Sequence, residues 1–83
     1  QVIEISIDGQ GRYYVNQQRV LDNKATTLKR AMRLVLDKSK DPQLIISADR
    51  NTPHQAVITA MDAARQLGLT RLTFATRQSD DKR

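Results

Sequence analysis

The 83-residue chain contains no cysteine. Disulfides, thiolate metal ligands and a cysteine nucleophile are therefore excluded together, while the redox compartment stays open. Histidine is nearly as scarce, with His54 alone, so a metal site would have to be built from carboxylates around it. The aromatics are Tyr13, Tyr14 and Phe74. Long apolar runs are missing too. Leu44-Ile45-Ile46 falls far short of the roughly 20 residues that cross a bilayer, and no basic segment followed by an apolar stretch marks a signal peptide. The chain opens at Gln1, without an initiator Met and directly in strand-like sequence, as a fragment of a longer protein would.

What is present is ordinary for a folded domain: 39% hydrophobic and 28% charged residues, too apolar for a disordered chain. One domain over residues 1–76 is expected, with a polar tail over 77–83. A chain of this length buries roughly 60–65% of its unfolded surface, so self-association would add to its stability. The net charge of +5 is concentrated. Lys24, Lys29, Arg30, Arg33, Lys38 and Lys40 stand against Asp37 alone, enough to account for the whole excess. Such a stripe attracts polyanions, and its plainer reading is a solvated helix face.

Val2, Ile3, Ile5 and Ile7 alternate with Glu4, Ser6 and Asp8, the period of a half-buried strand. Asp8-Gly9-Gln10-Gly11 reads as a turn, Tyr13-Tyr14-Val15 as a second strand, Asn16-Gln17-Gln18 as another turn and Arg19-Val20-Leu21 as a short third strand. The period then changes. Leu21, Ala25, Leu28, Met32, Val35 and Leu36 predict a helix from Asn23 or Lys24 to Lys38, capped by Asp22 or Asn23, with Lys29, Arg30 and Arg33 opposite its apolar stripe. Leu34 falls away from that stripe, a candidate contact point, although a lone exposed leucine is ordinary. Asp41-Pro42 ends the helix, and Gln43–Ala48 suits a buried strand. Thr52 is expected as the cap of a second helix, with Pro53 first in it and Gln55 closing a capping box. Val57, Ala60, Met61, Ala64 and Leu67 form its inner face, and Gly68 its left-handed cap. Thr70–Thr76 is the last strand. The order β-β-(β)-α-β-α-β, with a closing βαβ unit and two singly striped helices, predicts an α/β (α+β) two-layer sandwich, both helices on one face of a small mixed sheet.

Candidate chemistry is sparse. Ser6 and Ser47 lie in strands without a histidine spaced for a nucleophile elbow. His54 opens a helix with Asp49 as the nearest acid, and a solvated helix-start residue is the plainer reading of it. Asp49 and Asp62 would act as a carboxylate pair only if the fold brought them together. Gly9 and Gly11 lie in a hairpin turn rather than between a strand and a helix, so they do not make a phosphate loop. No catalytic, cofactor or metal residue is assigned. Three aromatics without a Gly-aromatic repeat argue against nucleic acid as partner.

Ser47-Ala48-Asp49-Arg50-Asn51-Thr52-Pro53-His54-Gln55-Ala56-Val57, with Ala60-Met61-Asp62-Ala63-Ala64-Arg65-Gln66-Leu67-Gly68 and Leu72-Thr73-Phe74-Ala75-Thr76, resembles the periplasmic domain of the ExbD/TolR family. Ile7-Asp8, Gly11, Tyr13-Tyr14, Asn16 and Val20 match that family's opening hairpin. The Ala-Asp-Arg and Met-Asp-Ala-Ala pieces look closer to ExbD than to TolR. The resemblance implies a periplasmic domain of a single-pass inner-membrane protein without enzymatic activity. It implies a homodimer, an ExbB-like channel subunit and a TonB-like or TolA-like transducer as partners, with proton motive force driving transport. The family's proton-carrying Asp lies in a transmembrane helix outside these residues, and Asp8, Asp49 and Asp62 do not inherit its role.

An added strand on a sheet edge is a general way for such a domain to grip a partner. The final segment, Arg71, Leu72, Thr73, Phe74, Ala75, Thr76 and Arg77, is expected to supply the dimer or transducer contact, with Leu72 and Phe74 pointing to the core. The other possibility is an ordinary central strand. A TolR-like peptidoglycan-binding domain, with the basic helix meeting the cell wall, is the alternative function, and an RNA-binding βαβ module a third.

Overall fold

The computed structural model describes residues 1–77. Five strands, β1 (Val2–Ile7), β2 (Tyr13–Val15), β3 (Gln18–Arg19), β4 (Gln43–Asp49) and β5 (Leu72–Arg77), and two helices, α1 (Ala25–Val35) and α2 (His54–Gln66), follow the expected order. The strands make one mixed sheet in the order β3-β2-β1-β4-β5. The hairpin pairs are antiparallel, whereas β4 runs parallel to both β1 and β5. The sequence therefore folds as the two-layer α+β sandwich that its periodicities predict.

Register explains the core. Ile3, Ile5 and Ile7 stand opposite Leu44, Ile46 and Ala48, so one face of the central strands carries a continuous apolar band. Residues two apart on a strand share a face, and both rows meet the helices there. Leu28 and Met32 of α1, Ala60, Ala63 and Ala64 of α2, and Tyr13, Val15, Val20 and Leu67 are buried with them. Alanines bring α2 close to the sheet, because they hold the backbone back by only one carbon. Tyr13 and Tyr14 face opposite sides as alternation requires, Tyr13 buried and Tyr14 half-buried. The Tyr13 hydroxyl donates to the carbonyl of Ala56 at 2.8 Å, and burial pushes its phenol pKa up.

Turn chemistry fixes the hairpins. Asn16 and Gln17 both have positive φ, 49° and 72°, the pattern of the two-residue turn whose twist suits an antiparallel pair. Gly11 has φ +82° and stands against Pro53 and Ala56 at the start of α2. Asp8 Oδ1 accepts from the amides of Gln10 and Arg12, both at 2.9 Å, and Oδ2 from Arg12 Nε at 2.7 Å.

Several local expectations need correction. α1 spans Ala25–Val35 rather than reaching Lys38, and Leu36 is already extended. Asp37 instead accepts from the amide of Ser39 and starts a separate 3₁₀ turn, Lys38–Lys40. The cap position of α1 is Lys24, without a side-chain cap; Asp22 accepts from the Lys24 amide just before it. Leu21, assigned to the helix stripe, lies outside the helix and is 90% exposed. At α2 the cap position is Pro53, and Thr52 is no cap. Its hydroxyl instead donates toward the carbonyls of Ile7 and Asp8, at 3.0 and 3.1 Å, tying the helix start to the end of β1. β3 is shorter and earlier than expected, at Gln18–Arg19. Gly68 does close α2: its φ is +81°, its amide donates to Arg65, and the amide of Leu69 donates to Ala64, the paired bonds of a left-handed helix end.

Candidate functional site

β5 is an edge strand: its one neighbour among the described residues is β4. The amide of Leu44 donates to the carbonyl of Arg71 at 2.8 Å, and Leu44 is in register with Leu72. In a parallel ladder this phase turns the backbone groups of alternate residues toward the neighbour. Those of Arg71, Thr73 and Ala75 therefore engage β4, and those of Leu72 and Phe74 point to the open side.

The same two residues carry the apolar side chains. Opposite Leu44 and Ile46, Leu72 and Phe74 lie on the helix-facing side of the sheet, as the alternation predicts. They are not in the core, however: Leu72 is 40% and Phe74 48% exposed. α2 packs over β1 and β4 and stops short of the outermost strand. Ile58 and Met61, on the β5-facing side of α2, stay exposed for the same reason, so Met61 does not belong to the inner face assigned to it. Ile58, Met61, Ala64, Leu69 and Leu72 line a groove of about 370 Å³ between helix and edge. Ile58 escaped the sequence reading because it falls just off the alanine stripe. Its signal is a β-branched apolar residue at the border of an otherwise polar helix face.

The remaining residues of the segment are placed around this groove. Arg71 precedes the strand and pairs with Asp41, anchoring the entry to β5 beyond the end of α1. Thr73 and Ala75 lie on the face without helices and are exposed; the Gln43 side chain donates through Nε2 toward the Thr73 hydroxyl at 3.4 Å. Thr76 and Arg77 stand in register with Ala48 and Asp49. The tail expected over 77–83 is part of β5 at Arg77, and residues 78–83 lie outside the described residues.

The three residues of the basic stripe are placed differently. Lys29 donates to Gln66 of α2 at 2.6 Å, bridging the two helices. Arg30 lines a different groove against the β2–β3 hairpin, and Arg33 is exposed. Among the described residues no hydrogen bond or ion pair joins the candidates for chemistry. His54 is exposed, Asp62 pairs with Arg65, and Asp49 accepts from the amide of Asn51 at 2.9 Å. Among the described residues no group of acids and histidine is arranged to hold a metal ion, and no helix is long and apolar enough to cross a membrane. Among the described residues the fold thus presents a strand edge without a neighbour, flanked by an apolar groove, the geometry that an added strand can extend.

Comparison with known proteins gives this module its family. The family model described as "Biopolymer transport protein ExbD/TolR" matches residues 1–79. The chain belongs to the ExbD/TolR family. It is 26% identical over 74 residues to the "Biopolymer transport protein ExbD" of Neisseria gonorrhoeae, and equally to that of Neisseria meningitidis serogroup B. Each alignment covers 89% of this chain and 51% of the relative, so the chain spans about half the length of the curated relatives it matches.

Proposed function

We propose that this chain is the periplasmic coupling domain of an ExbD-like inner-membrane protein, without enzymatic activity and working as a single domain over residues 1–76. In this reading it pairs as a homodimer and is joined to an ExbB-like channel subunit through a transmembrane helix outside these 83 residues. It grips a TonB-type transducer, so that proton motive force drives outer-membrane transport. Family membership supports the transport role. The observation that carries the gripping role is the coincidence on Leu72 and Phe74 of open backbone groups and exposed apolar side chains. A strand added there satisfies its backbone on β5 and lays every second side chain over the groove toward Ile58 and Met61.

Titrating the labelled chain with the periplasmic segment of a TonB-type transducer from the same organism tests the reading. Amide shifts at Leu72–Thr76 are expected, with binding weakened about tenfold or more by Phe74→Lys. Shifts confined to Lys24–Lys40 would remove β5 as the contact.

A further inference from the structure

A second concave surface lies at the other edge of the sheet, where α1 leans over the β2–β3 hairpin. Val15, Val20, Ala31 and Val35 form its apolar floor, in a groove of about 280 Å³. Leu21 and Leu34 form its lips, and Leu34 is 83% exposed. One exposed leucine needs no explanation. Two bordering the same apolar floor make a continuous surface that folding alone does not require.

The charged side chains that line this groove have one sign. Arg19 and Arg30 line it, with no acidic residue among its walls. Neither arginine takes part in an ion pair among the described residues. Arg30 extends from α1 and Arg19 from the edge strand β3, so the two guanidinium groups approach the groove from different elements.

We propose that this groove docks an acidic, amphipathic peptide segment of a partner protein. One side chain the size of Leu or Phe seats between Leu21 and Leu34, and flanking carboxylates meet Arg19 and Arg30. Shape favours a peptide over a lipid surface: a floor recessed between two lips is reached by an inserted side chain, whereas a bilayer engages protruding residues. Charge favours an acidic segment, because the arginine forks match carboxylates. The groove is separate from the β5 edge, and this inference stands whether or not a transducer binds there.

The test uses the labelled 83-residue chain and two end-blocked peptides, Glu-Asp-Leu-Phe-Asp-Glu and Lys-Lys-Leu-Phe-Lys-Lys. The acidic peptide is expected to move the amide signals of Val20, Thr27, Ala31 and Leu34, and the basic one to leave them in place. Binding is expected to weaken about three- to tenfold in the double variant Arg19→Glu, Arg30→Glu, and similarly in Leu34→Ser, which keeps the charge. Both arginines are exposed, so the thermal midpoint of the double variant should move by no more than about 2 °C. Equal shifts with both peptides, shifts at Leu72–Thr76 instead, or no shifts at all would overturn the proposal. So would sedimentation with phosphatidylglycerol vesicles without a peptide response, which would assign the surface to lipid.

Discussion

At the scale of single residues, several acids serve the chain's own fold: Asp8, Asp22, Asp37 and Asp49 each accept from nearby backbone amides. Asp8 is the clearest case. Partial burial pushes its carboxyl pKa up, but the Arg12 amide and guanidinium and the Gln10 amide outweigh that and hold it below its ordinary value of 3.8. A carboxylate with a lowered folded pKa stabilises the fold fully above its unfolded value, and that contribution fades as pH falls through the folded one. Asp8→Ala is therefore expected to cost about 1–2 kcal/mol at neutral pH. Chemical denaturation across pH should show the gap to the parent chain narrowing below pH 3.8. A gap constant down to the acid limit would mean that the turn gains nothing from the charge. Lys29 shows the same economy, since its ammonium joins α1 to α2 through Gln66 rather than facing a ligand.

At the scale of elements, termini matter more than interiors. Gly68 holds φ +81° while its amide and that of Leu69 close the last turn of α2. An alanine there keeps the hydrogen bonds only in a strained backbone, so Gly68→Ala should lower the unfolding free energy by about 1–2 kcal/mol. Urea denaturation should show this with an unchanged slope. This glycine was legible in the sequence because the chemistry of a left-handed cap is local. The elements themselves were legible for the same reason: alternation gave β1, and the spacing of Leu28 and Met32 gave α1. Thr52 was misread because its best partners, the carbonyls of Ile7 and Asp8, lie more than forty residues away in sequence. Leu72 and Phe74 were placed on the correct face but not at the correct depth. Alternation reports which side of a sheet a residue takes, whereas its burial depends on how far a helix from another part of the chain reaches across.

At the scale of the whole molecule, α2 covers the middle of the sheet and stops short of β5, while α1 leans over the β2–β3 hairpin, so that one sheet edge lies beside an apolar groove and the other beside a groove flanked by arginines. Neither groove was visible in the sequence, because each is assembled from segments that only the fold brings together. The central strands add a further property. β1 enters the sheet at Gln1, whose side chain is fastened to Val35 and Asp37, and β5 leaves it at Arg77, with β4 parallel to both between them. A pull between Gln1 and Arg77 therefore runs along the strands and loads two parallel ladders in shear, with many hydrogen bonds resisting at once. Force-spectroscopy with handles at those two residues should give a higher rupture force than handles at Gln1 and Gln18, which peel the hairpin bond by bond. Equal forces would show that the ladders do not carry the load. A domain wired in this way transmits tension along its central strands.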